Sequence, residues 1–378
     1  MAMMTAAPAA SQSVAQVDDA VRAGIDRGIY PGAVVIIGRR DSLLYARGYG
    51  HFTWARSSPV PAPDSTLWDL ASITKIVATM SSAMRLSDQG KLDLDAPVER
   101  YLPRFSGGLK KAVTVRMLLD HTSGLKSYIP LYQRARGKAR AVDILYAQPL
   151  LRIPGDSAVY SDLNAMLLAL VVEKVAGTSI DHVAQREIFE PLGMHETMFR
   201  PAKKLRTRIV PTGIWRGHPV AGEVNDQNAV VFGGVAGHAG LFSTGADLAR
   251  YAQTWLRGGV APDGNRWVNL GTMTRFLARG ANSGSRLLGW DTRERMLGEV
   301  SVFGDLTSDA TYGHTGFTGT LLWVDPARDL FLIFLTNRTF DPHVSDPGKA
   351  LKGVRAAVSD AAVRLVPHGC GQVLASQC

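Results

Sequence analysis

Apolar residues recur at helical spacing near the start of the chain: Val17, Val21, Ile25 and Ile29, with Asp18 and Asp19 where acids suit the helix dipole. The spacing predicts a helix over residues 14–29. The stretch PGAVVIIGRRDSLLYARGYG follows, two apolar runs around a polar Arg39-Arg40-Asp41 turn, which predicts a hairpin. Residues 72–86 run without Gly or Pro and close near Gly90, so a buried helix is expected with Ser72 at its amino end. From there to about residue 224, helical patterns and loops dominate: TVRMLLDHTSGL, NAMLLALVVEKVAG closing at Gly177, and SIDHVAQREIFEPLG. The passage FGGVAGHAGLFSTGADLARYAQTWL leads into another helix, capped by Ser243 or Thr244 with Asp247 in its first turn. Strand patterns return in GTLLWVDPARDLFLIFLTNR, where DPARD separates two apolar runs, and a last helix spans about 348–365. Strands at both ends with helices between them predict an α/β chain of the α+β type. One sheet lobe is expected from residues 13–75 and 225–378, a mainly helical lobe from 76–224, and a disordered start over 1–12.

Composition agrees with this plan. At 378 residues, 46% hydrophobic and 20% charged, the chain is long and apolar enough for a folded protein of two or so lobes. The longest apolar run in the central block, AMLLALVV, covers a couple of helical turns, so no membrane span is expected. The net charge of +9 is spread among interleaved acids. Its densest cluster, KKLRTR, has no nucleic-acid motif around it, so no nucleic-acid partner is expected. A basic surface does suit anionic partners such as cell-wall polymers. Cys370 and Cys378 lie in the last nine residues and offer neither a disulfide framework nor a zinc site. The opening MAMMTAAPAASQS has no basic n-region or apolar h-region, which fits a cytoplasmic start and equally a mature periplasmic or secreted form with its signal removed.

Two Ser-x-x-Lys patterns occur, Ser72 to Lys75 in LASITK and Ser123 to Lys126 in HTSGLK. In a helix, positions three apart share a face, so Lys75 reaches the Ser72 hydroxyl from the next turn. Ser72 also falls where the unpaired N–H groups of a helix start favour an oxyanion. Ser123 is followed at once by Gly124, then by Pro130 and the polar QRARGK, and reads as a turn. A serine hydroxyl must lose its proton to attack, and an ordinary ammonium cannot take it. Two further groups are candidates: Tyr160 in VYSDLN, just before a helix, and His314 in GHTGFTGTLLWVD, just before a strand. Each has a plainer reading, since lone tyrosines commonly pack and lone histidines commonly satisfy local hydrogen bonds. His238 in GGVAGHAG and His121 in DHTSGL read as structural; the glycine loop lacks the register of a nucleotide site, His195-Glu196 lacks the second histidine of a zinc protease, and no Gly-x-Ser-x-Gly elbow occurs.

The motifs LASITK, LLDHTSGL, VYSDLNAMLLALVVEKVAG, GLFSTGADLARY and GHTGFTGTLLWVDP, in this order and spacing, resemble the class C β-lactamase-like serine hydrolases. That superfamily includes penicillin-binding D-alanine peptidases, D-aminopeptidases and family VIII carboxylesterases. The resemblance runs from about residue 14 to 365. It implies a β-lactamase/transpeptidase-like fold, with an antiparallel sheet flanked by helices from both termini, an inserted helical lobe and the site between them. It implies no metal and no organic cofactor. It makes Ser72 the acylated nucleophile, Lys75 its partner, and Tyr160 the tyrosine of a Tyr-x-Asn motif. His314-Thr315-Gly316 matches the strand motif that is Lys-Thr-Gly in β-lactamases and often His-x-Gly in related peptidases and esterases. Thr315, Gly316 and Asp162 would contact substrate, the backbone N–H groups of Ser72 and Phe317 would form the oxyanion hole, and His314 would relay a proton to the leaving group.

The chain departs from that pattern twice. Asp162 stands where the family often has Asn, and Asn164 is out of register. An ionised Asp only accepts hydrogen bonds, so Asp162 is expected to pair with Lys75, keep it protonated and favour Tyr160 as base, or else to cap the following helix. At position 314, histidine with its ordinary pKa of about 6.5 is mostly neutral at pH 7 and selects weakly for a substrate carboxylate, although a pocket can supply another cation such as an arginine. The expected function is hydrolysis of carboxylic esters through an acyl-enzyme, on a small-molecule ester or amide. The alternatives are a D-amino-acid peptidase or carboxypeptidase or a weak β-lactamase on peptidoglycan-type substrates, and, outside enzymes, a penicillin-acylated sensor or binding protein.

Overall fold

The computed structural model describes residues 9–293 and 300–366; Cys370 and Cys378 lie outside them. The helices that frame the site are α1 (Ala9–Asp26), α2 (Ser81–Asp88), α3 (Asp162–Ala176), α4 (Gly245–Leu256) and α5 (Pro347–Arg364). Helix α1 reaches back to Ala9, so residues 9–12 of the expected irregular start are helical. Thr244 caps α4 by accepting from the Asp247 N–H at 3.2 Å, and Gly177 ends α3 in the left-handed region at φ 69°. No single helix among the described residues is long and apolar enough to cross a membrane.

The main sheet comprises β1 (Gly32–Arg39), β2 (Ser42–Gly50), β3 (Asp291–Thr292), β4 (Tyr312–Thr315), β5 (Leu321–Asp325) and β6 (Leu330–Thr336). Its order is β2-β1-β6-β5-β4-β3 and every neighbouring pair is antiparallel, so the two ends of the chain meet at β1 and β6. The unbroken apolar runs of β1 and β6 follow from burial on both faces. Register decides what each face carries. Ile36, Ile333, Leu322 and His314 stand opposite one another across β1, β6, β5 and β4. The first three belong to the core shared with the helices of the middle of the chain, so this row aims His314 at that core. The alternate row, Val35, Phe334 and Leu321, packs with Val17, Val21, Leu351 and Val358 of the terminal helices.

The segment expected as one regular helix over 72–86 is built in three parts: a 3-10 turn Ala71–Ile73, a π-helical stretch Lys75–Met80, and α2. The widening has a local cause. The Ile76 carbonyl accepts from the hydroxyls of Ser81 at 2.9 Å and Tyr251 at 3.1 Å, and the Ser81 N–H also reaches back to it.

Candidate active site

Lys75 is the hub of the site. Its ammonium donates to Ser72 Oγ at 2.9 Å and to the His238 carbonyl at 3.0 Å, and lies 2.8 Å from Asp162 Oδ1. Those contacts use all three of its N–H donors. Lys75 is 4% exposed. Burial alone would pull its pKa down, but Asp162 and Tyr160 outweigh it, and the net shift is upward. The lysine is therefore an ammonium in the resting site.

Asp162 reaches this position as the first residue of α3. The cap itself is Ser161, whose hydroxyl accepts from the Asn164 N–H at 3.4 Å, so the capping alternative for Asp162 does not hold. Asn164 turns away: Oδ1 accepts from Ser123 Oγ at 2.5 Å and Nδ2 lies 3.2 Å from His121 Nδ1. Ser123 is fully buried in that contact, away from Lys75.

Tyr160 stands among charged and aromatic groups. Its ring centroid is 5.0 Å from Lys75 Nζ, 4.9 Å from the His121 ring and 5.8 Å from the His314 ring. The guanidinium of Arg286 lies over the same ring at 5.1 Å while pairing with Asp291 at 3.2 Å.

His314 Nδ1 lies 2.8 Å from the Thr315 carbonyl, which fixes the proton on Nδ1. Nε2 is buried and finds no hydrogen-bond partner among the described residues. Burial, then the nearby Lys75 and Arg286, push its pKa down to about 3. The imidazole is neutral at physiological pH and presents a bare lone pair.

The turn after β4 is stitched to the chain just before Ser72. Thr318 Oγ1 donates to the Asp69 carbonyl at 2.7 Å and Thr320 Oγ1 to the Leu70 carbonyl at 3.0 Å. Gly316 permits this approach, since a Cβ there would stand 2.0 Å from Thr320 Oγ1 and 2.5 Å from the Leu70 carbonyl. Arg355 of α5 ties the same turn from behind, donating to the carbonyls of Gly316 at 3.0 Å and Thr320 at 2.9 Å. The stitching holds the Gly316–Phe317 backbone next to the Ala71–Ser72 backbone. The Phe317 side chain is 64% exposed and stacks on Arg338 at 4.6 Å.

The structure thus gathers Ser72, Lys75, Tyr160, Asp162, His314 and Gly316 in one place and leaves Ser123 out of it. Sequence reasoning missed Arg286, which sits in an irregular loop with no periodicity to flag it. His121 and His238, read as structural, both border the site: His121 by its ring against Tyr160, His238 by its carbonyl on Lys75 and its Nε2 at 2.9 Å from Asp226. A separate cavity of about 330 Å³ is lined by Arg200, Lys203, Arg206, Val224 and Phe242 and contains none of these groups. Its two arginines are already paired, with Asp181 at 2.7 Å and Glu223 at 3.2 Å. Among the described residues no cluster of three His, Cys, Asp or Glu is placed to hold a metal ion.

The chain is similar to known proteins over most of its length. An Escherichia coli K12 protein whose name places it provisionally among D-alanyl-D-alanine carboxypeptidases is 32% identical over 372 residues, covering 88% of this chain and 84% of that protein. An N-acetylmuramyl-L-alanine amidase of Bacillus subtilis strain 168 is 33% identical over 376 residues, covering 89% and 83%. A class C beta-lactamase structure superposes with a TM-score of 0.73 at 21% identity, covering 93% of this chain and 98% of that one. The family description "Beta-lactamase" matches residues 17–355, and the chain belongs to that family of hydrolases.

Proposed function

We propose that this chain is a serine hydrolase that works through an acyl-enzyme on Ser72. One observation carries the reading: Ser72 Oγ accepts from an ammonium that Asp162 holds in its charged state. With Lys75 committed as a donor, Tyr160, whose ring centroid lies 5.0 Å from Lys75 Nζ, is the group left to take the Ser72 proton. The backbone N–H groups of Ser72 and Phe317 stabilise the tetrahedral oxyanion, a contribution of about 10²–10³ in rate per donor in comparable enzymes. His314, with its proton on Nδ1, has no proton on Nε2 to deliver, so Tyr160 returns the proton taken from Ser72 to the departing group, and water then attacks the acyl-enzyme, breaks the acyl–Ser72 bond and restores the Ser72 hydroxyl.

Two substrate classes fit this chemistry. The neutral His314 favours carboxylic esters, because it offers no charge to a substrate carboxylate. Arg286 argues for the other order: its guanidinium, paired with Asp291 at 3.2 Å, still lies in the same wall, 5.1 Å from the Tyr160 ring. The names of the relatives point the same way, toward cell-wall peptides. We therefore place amide bonds of peptides that carry a free carboxylate first and simple esters second. The test compares kcat/KM for a D-Ala-D-Ala peptide and p-nitrophenyl butyrate, with Ser72→Ala as control and the protein mass recorded during turnover. Peptide preference that collapses in Arg286→Ala supports the first reading; fast ester turnover indifferent to Arg286 supports the second. A stable adduct without turnover would make the chain a sensor, and turnover surviving Ser72→Ala would remove the nucleophile.

A further inference from the structure

Asp69 lies three residues before Ser72 and is 2% exposed. Each of its carboxylate oxygens takes one backbone donor: Oδ1 accepts from the Ala71 N–H at 2.9 Å and Oδ2 from the Asn225 N–H at 2.7 Å. Its own carbonyl accepts from Thr318 Oγ1 at 2.7 Å. One residue therefore touches three segments that must stay in register. The first is the turn carrying the nucleophile. The second is the turn carrying Phe317. The third begins at Asn225 and includes Asp226, whose partner His238 presents the carbonyl that binds Lys75.

Ala71 explains why a clamp is needed here. It sits at φ 47°, in the left-handed region that a residue with a Cβ rarely occupies, and it immediately precedes Ser72. A side-chain oxygen accepting from the N–H two residues later is the Asx-turn arrangement, which pays back such a conformation locally.

We infer that the ionised carboxylate of Asp69 is a positioning residue, fixing the Ala71 turn so that Ser72 faces both its oxyanion donors and Lys75. This rests on the reading of Ser72 as nucleophile. The carboxylate accepts strongly at both oxygens; protonation weakens the bond at one of them by making that oxygen a neutral hydroxyl. Burial pushes the Asp69 carboxyl up to about 6, with Asp226 adding to the rise, while the two backbone N–H groups oppose it. Asp226 is the charged side chain acting on it, and the remaining elements meet it through the Ala71 and Asn225 N–H groups and the Thr318 hydroxyl. Burial pushes Asp226 itself up, but His238, the Ala229 N–H and Lys75 together hold it at about 2, so it stays ionised while Asp69 titrates.

The experiment measures the rate at which a fluorophosphonate labels Ser72 from pH 5 to 9, alongside circular dichroism at each pH. In the wild type, labelling is expected to fall as pH drops through about 6 while the protein stays folded. Asp69→Asn is expected to label on the order of 100-fold more slowly at pH 8 and to lose the acid limb, because it has no proton to gain. If that variant folds poorly, the same profile is read in Asp69→Asn combined with Ala71→Gly, since glycine adopts the turn without strain. Wild-type labelling rates in a folded Asp69 variant would overturn the assignment, as would a slowed variant that keeps the acid limb. Labelling that persists in Ser72→Ala would refute the nucleophile; labelling lost there but untouched by Asp69→Asn refutes the clamp alone.

Discussion

Asp162 Oδ1 lies 2.8 Å from Lys75 Nζ, while Asn164, one half-turn further along the same helix, faces Ser123 and His121. Asp162 thus acts on the lysine and favours its charged form.

Replacing Asp162 by Asn leaves a buried ammonium without its anion, which costs about 3–5 kcal/mol unless the lysine gives up its proton. Lys75 is raised above its ordinary 10.5 in the native protein, so the stability it contributes is present below that value and is lost as pH rises through the folded value. The melting-temperature gap between wild type and Asp162→Asn should be full at pH 8 and close above pH 10.5. The pH–rate profile should move to lower pH in the variant; an unmoved profile refutes the role of the pair.

His314 makes the opposite contribution. Its pKa falls from 6.5 to about 3 on folding, so the unfolded chain binds more protons in that window and stability falls as pH drops through it. Relative to wild type, His314→Gln should gain stability on the order of 1 kcal/mol per pH unit between pH 6 and 4. Parallel denaturation midpoints for the two proteins across that range would contradict a neutral, buried His314.

A methyl group at position 316 has no room. In Gly316→Ala the new Cβ would start 2.0 Å from Thr320 Oγ1 and 2.5 Å from the Leu70 carbonyl, forcing the two backbones apart. We expect a stability loss of about 1–3 kcal/mol by urea denaturation and a fall in kcat of at least about 100-fold, because the Ser72 and Phe317 N–H groups proposed as oxyanion donors lose their spacing.

The second Ser-x-x-Lys tests geometry against pattern. Ser123→Ala removes the donor to Asn164 Oδ1 and leaves a buried acceptor unpaired, at a cost of about 1–3 kcal/mol. Turnover per folded molecule should stay within about twofold of wild type, provided that Asn164 keeps its His121 contact.

Local rules reached most of the frame. Apolar periodicity located α1, β1, α3, α4 and the β5–β6 pair, because each buries a continuous face that the sequence must spell out, while the mostly exposed β2 was legible through the polar turn that precedes it. The Asp162–Lys75 contact was also legible, since an acceptor-only side chain beside a buried amine has one sensible partner. The π-helical stretch was not, because its cause is the Ile76 carbonyl shared between Ser81 and Tyr251, which lies 175 residues from Ile76 in sequence. Arg286 and the two ends of the Asp69 clamp were hidden for the same reason: Asp69 and Asn225 are 156 positions apart, and no short-range pattern records such a meeting.

The π-helical turn at Lys75–Met80 sets the rotational phase between the Ser72–Lys75 end of the segment and the part that anchors it. A turn of this kind holds about one residue more than an α-helical turn, so deleting a single residue from it would let an ordinary helix form. The anchored α2 would keep its apolar face in the core, and Ser72 and Lys75 would rotate by roughly 100° relative to it. Length in this segment is therefore under a constraint separate from composition: a chain one residue shorter could keep Ser72, Tyr160, Asp162 and His314, fold around the same core, and aim the Ser72 hydroxyl at the wrong wall.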